Sequence, residues 1–162
     1  MLWLKPCSNS SRHKPDVVVG VPTLGLSLAD RVARLLGHHR MVALGTSPKF
    51  WYREELSELL ASVTTPERRK RLYVDPRMLP LLLDRQVVLV DDVISSGQSM
   101  TAALSLMRKV DVLPVAAAVV MEQGQRWRDA LAVVDPSWPD LVRGVFRSPL
   151  LRPEGPGWTA VS

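Results

Sequence analysis

Residues 87–100 read VVLVDDVISSGQSM: four apolar residues, two adjacent carboxylates, two more apolar residues, then a cluster of hydroxyl-bearing and small residues. Each part has its own chemistry. Asp91 and Asp92, acceptors only when ionised, suit sugar hydroxyls or a hydrated metal ion. Ser95, Ser96, Gly97, Gln98 and Ser99 form a turn of small residues that opens a helix. Such a turn turns free backbone N–H groups and the positive end of the helix dipole toward a phosphate monoester. The three serines add hydroxyl donors, and Gly97 lets the backbone come close. A pentose carrying a 5-phosphate satisfies both demands at once.

For this to work, a strand must bring the acids to one edge of a sheet and a helix must start just behind the loop. Residues 87–90 are an apolar run fit for a buried strand, and residues 99–110 carry Met100, Leu104, Met107 and Val110 on one helical side. Upstream, residues 16–21 read as a strand closed by Gly and Pro. Residues 26–36 follow as a helix with its stripe on Leu28, Val32, Leu35 and Leu36, ended by Gly37. A second short strand covers residues 41–44. Residues 47–80 then break the pattern with a polar, aromatic and basic excursion, which we expect to hold a helix around 54–61 and a short strand at 71–74. Residues 115–121 form another apolar strand, 126–134 a short helix, and 141–146 a last strand before a Pro- and Gly-rich tail. Apolar runs without alternation mean strands buried on both faces. The expected fold class is therefore α/β, an open doubly wound, mostly parallel sheet that gathers ligands at the carboxyl ends of its strands.

Composition narrows the field. A chain of 162 residues with 46% apolar content has the length of one domain. It contains no apolar run of membrane-spanning length and no secretory pattern at its start, so a cytoplasmic location is expected. The lone Cys7 rules out an intramolecular disulfide. A net charge of +5 suits a phosphate-bearing ligand and also weak association with nucleic acid, which we rank lower. Part of that charge lies in Arg68-Arg69-Lys70-Arg71, which reads equally as a solvated segment and as a functional one.

Two other readings compete for the 91–99 stretch. Two Asp residues can simply end a strand ahead of an ordinary helix cap. A receiver-type phosphorylation domain also places two acids after a buried strand, but after its first strand and without a phosphate loop behind them. The whole run from Val87 through Asp91-Asp92-Val93-Ile94 to Ser95-Ser96-Gly97-Gln98-Ser99 instead resembles the phosphoribosyl-pyrophosphate (PRPP) motif of the type I phosphoribosyltransferases. Ser95 stands where the 6-oxopurine enzymes of that family carry an Asp, whereas adenine-type enzymes tolerate a small residue there. The resemblance is thus nearest to adenine-type or uncharacterised bacterial members.

The resemblance implies the type I phosphoribosyltransferase fold with a reduced hood, because only some fifteen residues precede the first strand. Residues 1–15 are expected to be a flexible segment, and 16–162 a single domain with a flexible loop at about 53–80. It further implies that Asp91 and Asp92 hold the ribose hydroxyls and favour the cationic sugar, while Ser95 to Ser99 fix the 5-phosphate. Thr23, Leu24 and Gly25, in a loop that in the family often has an unusual peptide conformation, would receive pyrophosphate together with Lys49. Arg68 to Arg71 become a candidate lid. Residues 138–146 would border the base pocket. Phe50, Trp51 and Tyr52 either stack on a base or pin their loop to the core, the latter being favoured, and Trp127 and Trp158 take no assigned role. His13, His38 and His39 are read as surface residues, and no general base is nominated.

The implied reaction moves ribose 5-phosphate from PRPP to a nitrogenous base with release of pyrophosphate. Magnesium would be bound chiefly through PRPP, with no protein metal ligand nominated. The alternative is a non-catalytic regulatory protein that senses PRPP or a nucleotide with the same pocket. The resemblance also allows a homodimer.

Overall fold

A computed structural model of the chain describes residues 14–60 and 70–161. Its centre is a five-stranded sheet made from the apolar runs: β1 (Val17–Gly20), β2 (Val42–Ala43), β5 (Val87–Ile94), β6 (Ala116–Gln123) and β7 (Val142–Ser148). The spatial order is β2-β1-β5-β6-β7 and every pairing is parallel, as burial on both faces requires.

On one face lie α3 (Gln98–Lys109) and α4 (Arg126–Val134), joined to the sheet through Leu89, Val119, Leu104, Met107, Trp127 and Leu131. All four stripe residues expected on α3 are buried, from Met107 at 0% to Val110 at 8% exposure. The opposite face carries α1 (Gly25–Leu35), closed by Gly37 in the left-handed conformation at φ 78°. Here the expected stripe is corrected. Ala29 and Ala33 make the buried contact with Val18, Val88 and Val90, Leu28, Val32 and Leu36 only flank it, and Leu35 is 72% exposed. The cause is close approach: a Cβ on Gly20 would stand 2.9 Å from the Ala29 Cβ, so the helix lies too near β1 for larger side chains in between.

The excursion after β2 holds an antiparallel pair, β3 (Ser57–Leu59) and β4 (Arg71–Tyr73), followed by the one-turn α2 (Leu79–Leu82). The strand expected at 71–74 is present. The helix expected around 54–61 is not: a single 3-10 turn, Glu54–Leu56, gives way to β3. Ser57 explains the change. Its fully buried hydroxyl donates to the Glu54 carbonyl at 2.6 Å and accepts from Arg71 Nε at 2.9 Å, while Lys109 of α3 donates to its carbonyl at 2.8 Å. These distant partners favour pairing over local helix propensity. Ala61, Arg68, Arg69, Cys7 and His13 lie outside the described residues.

The tail is also more regular than expected. β8 (Leu150–Glu154) and β9 (Gly157–Val161) form an antiparallel hairpin whose turn uses Gly155 at φ 57°. Residues 138–146 divide into a 3-10 turn, Trp138–Leu141, and the first part of β7. Among the described residues no helix is long and apolar enough to cross a membrane.

Candidate functional site

The acids do not stand where the strand ends. β5 continues through Ile94, because β6 keeps pairing with it as far as Ile94 and Glu122, whereas β1 pairs only up to Gly20 opposite Val90. Asp91 is therefore the first residue of β5 with no β1 neighbour. The site opens where β1 turns away, not where β5 stops.

That turn brings the first two groups of expected residues together. The chain leaves β1 through Val21, whose N–H donates to the Val90 carbonyl at 2.9 Å, and passes a cis peptide between Pro22 and Thr23. Thr23 and Leu24 are exposed, and Gly25 is buried against β5. A Cβ on Gly25 would stand 2.7 Å from Asp91 Oδ1 and 2.9 Å from its Cα. Only glycine allows the loop to touch the acid.

Asp91 is 5% exposed, and its Oδ1 accepts the Asp92 backbone N–H at 2.9 Å. Burial, with the neighbouring Asp92 carboxyl, pushes Asp91 up to about 8. At neutral pH it is mostly protonated and can donate a hydrogen bond as well as accept one. Asp92 is half-buried beside it.

Ser95, Ser96 and Gly97 then form the bend ahead of α3, whose N-cap is Gly97 at φ 83°. Ser96 is exposed, while Ser95, Gln98 and Ser99 are half-buried. The Ser96 hydroxyl accepts the Gln98 N–H at 3.4 Å. Behind the loop stands α4: a Cβ on Gly97 would lie 3.1 Å from the Trp127 Cα and 3.2 Å from the Ala130 Cβ. Trp127, fully buried, supports the loop. Sequence reasoning missed this role, since Trp127 stands thirty residues along the chain from Gly97 and no local pattern joins them.

Lys49 belongs to the loop that follows the edge strand β2 and is exposed there. Its aromatic neighbours correct the expectation of core packing: Phe50 is 96% exposed and Trp51 38%. Only Tyr52 packs inward, its ring stacked 5.6 Å from that of Tyr73. Trp51 donates to Asp75 at 3.3 Å beneath the Arg77 guanidinium, and hydrogen bonds from Arg77 hold the Asp75 carboxyl far below the usual carboxylate range. Of the candidate lid, Lys70 is exposed, and Arg71 is bound to Ser57 and to Glu54 at 3.7 Å, a role in holding the β3–β4 pair. His38, expected on the surface, is half-buried and bonded to the Pro15 carbonyl at 2.9 Å. Trp158 is exposed on the tail hairpin.

Among the described residues no three His, Cys, Asp or Glu side chains gather as a metal centre. Of the two acids, the half-buried Asp92 is the one placed to face a hard cation held mainly by the oxygens of a phosphorylated ligand.

Comparison with known proteins points the same way. A family model described as phosphoribosyl transferase domain matches residues 3–138. Among curated proteins, the chain is 34% identical over 115 residues to the bifunctional protein PyrR of Mycolicibacterium paratuberculosis, across 68% of this chain and 55% of that protein. It is 32% identical to the bifunctional protein PyrR 2 of Lactiplantibacillus plantarum, across 70% of this chain and 62% of the other. The chain thus spans little more than half the length of these relatives. Among solved structures, the APRTase of Giardia lamblia in complex with 9-deazaadenine superposes with a TM-score of 0.66 at 21% identity, covering 83% of this chain and 70% of that one. The adenine phosphoribosyltransferase of Thermoanaerobacter pseudethanolicus gives 0.66 at 17% identity, covering 85% and 73%. At such identities the structural likeness speaks for the fold alone.

Proposed function

We propose a function from one premise: this chain belongs to the phosphoribosyl transferase domain family. It transfers the ribose 5-phosphate group of PRPP to a nitrogenous base and releases pyrophosphate. The observation that carries this reading is the contact of Gly25 with Asp91, which joins the loop after β1 to the acids and, through them, to the bend at residues 95–97 in one continuous edge.

In this reading the bend at Ser95 to Ser99 and the start of α3 hold the 5-phosphate with backbone N–H groups and hydroxyls. Asp91 and Asp92 hold the ribose hydroxyls. The bond between the anomeric carbon and pyrophosphate breaks with its electron pair leaving on pyrophosphate. A base nitrogen supplies the pair for the new bond, and its surplus proton passes to water. Positive charge that develops on the ribose lies beside the two carboxyl groups, and pyrophosphate leaves against the loop of Thr23, Leu24 and Gly25. Catalysis then rests on placement and electrostatics. Magnesium carried by PRPP would neutralise the leaving group. Lys49, exposed on the loop after β2, would add a cation to the pyrophosphate side.

The bifunctional character of the PyrR relatives supports a second reading in which the chain senses PRPP or a nucleotide. One experiment separates the two. Pyrophosphate release from magnesium-PRPP is measured with adenine, guanine, hypoxanthine, uracil and orotate, beside calorimetric binding of PRPP. Turnover with one base supports transfer. PRPP binding without turnover on any base turns the conclusion to sensing, and absence of PRPP binding overturns both.

A further inference from the structure

No step of the proposed reaction uses the tail hairpin. It is anchored at its root: Gly124, left-handed at φ 65° just after β6, donates its N–H to the Ser148 carbonyl at 2.8 Å, and a Cβ on it would stand 2.7 Å from the Leu150 Cγ. Beyond Leu150, every residue of β8 and β9 except the half-buried Thr159 is exposed.

Its side chains are nonetheless sorted. Successive residues of a strand point to opposite faces, so the pairing of Leu151 with Ala160 and of Pro153 with Trp158 puts these four on one face. The other face carries Leu150, Arg152, Glu154, Thr159 and Val161. The hairpin is amphipathic, yet its apolar face lies in water, with Leu151 50% and Trp158 69% exposed. A lone pair of strands is at best marginally stable in water and needs a further strand or a packed face.

The strand edges indicate where that strand is added. Short length, charge and proline guard an edge against pairing. Accordingly β2 has only two residues, β3 carries Glu58, β4 Arg71, β7 Arg143 and Arg147, and β8 Arg152, Pro153 and Glu154. Strand β9, with the sequence GWTAV, has no charge and no proline, and it is paired on one side only. Of the edge strands described, it alone is both long and unguarded.

We infer that β9 pairs antiparallel with β9 of a second copy of this chain, about a twofold axis at Thr159, so that two hairpins become one four-stranded sheet. The strand is complementary to itself in that register. Thr159 meets the partner's Thr159, Trp158 meets the partner's Ala160, and Gly157 meets the partner's Val161, so each large side chain faces a small one and no like charges meet. The two Trp158 rings then lie on the same face in diagonal positions, a spacing that aromatic side chains span, and cover each other.

The test is sedimentation velocity of the full chain across a dilution series. Wild type should dimerise. Thr159→Lys and Thr159→Glu each set two like charges opposite one another on the axis and should weaken the dimer at least several-fold. An equimolar mixture of the two variants should restore it as a heterodimer. Hydrogen exchange of wild type gives a second readout: amides of residues 157–161 should be protected at high concentration and lose that protection on dilution. A wild type that stays monomeric overturns the inference, as does a dimer that both variants leave intact or that the mixture fails to restore. Exchange in β9 that is indifferent to concentration overturns it as well. Thr159 faces Arg152 within its own hairpin, so Thr159→Lys places like charges there too. Should circular dichroism show that this variant loosens the hairpin, the exchange measurement on wild type decides alone. The transfer reaction plays no part in the test, so failure of the proposed function leaves this interface standing.

Discussion

The two halves of the candidate site are built in opposite ways. The half from Asp91 to Ser99 is one unbroken stretch of chain, paired on β6, packed on α4 and largely removed from solvent. The half we assign to pyrophosphate is assembled from separate loops, in which Thr23, Leu24, Lys49 and Phe50 are exposed and only Gly25 is buried. Buried backbone holds a charged ligand in place before it arrives, while exposed loops can adjust to a group that must leave. The contrast teaches that, under the proposed function, preformed structure would hold the sugar phosphate and adaptable structure the leaving group.

Substitutions should divide along that line. The largest effect is expected from Asp91→Asn with Asp92→Asn: PRPP-dependent pyrophosphate release should fall by about 10²–10³-fold, as for loss of preorganised charge-stabilising groups. Its circular dichroism should stay that of the wild type, and turnover within tenfold of it would break the comparison at once. Next, Trp127→Ala should cost ~3–5 kcal/mol of stability in urea unfolding, since it empties a fully buried site. It should also weaken binding of the 5-phosphate, although Trp127 touches no ligand. Gly97→Ala should cost about 1–2 kcal/mol, because a side chain must then occupy the left-handed region.

The pH dependence sharpens the same contrast. Burial pushes Asp91 up to about 8 in the folded chain, against an ordinary value of 3.8. Below the lower value both states are protonated and the native form bears no penalty. Between the two values the native state binds more protons, so stability falls as pH rises, levelling off above about 8. Melting temperature measured from pH 4 to 9 should therefore drift down in the wild type and stay flatter in Asp91→Asn. A drift of equal slope in the variant would show that Asp91 is not its source. The smallest effect belongs to the loop half. Phe50→Ala should change stability by less than about 0.5 kcal/mol, since the ring is almost wholly exposed.

Much of this was legible without coordinates, and the reason lies in chain distance. Strand β5, the acids, the loop and α3 follow one another along the chain, so residue type and spacing carry both the fold and the chemistry of that half. The parallel sheet followed in the same way from apolar runs that do not alternate. Where long-range partners decide, local pattern failed. Ser57 and its bonds to Arg71 and Lys109 made a strand of an expected helix, and Gly20 drew α1 so close that alanines replaced leucines at the interface.

The sequence by itself determined the fold class, the family likeness and the succession of two acids and a small-residue loop, because all of these are written in consecutive residues. Tertiary structure alone decided that the site opens at Asp91, where β1 stops pairing, and that Gly25 touches it. It also decided that Trp127 supports Gly97 and that Arg128 and Arg147 meet at Glu122. Each of these depends on which distant segments come within a few ångströms, and that is set by packing of the whole chain rather than by local preference.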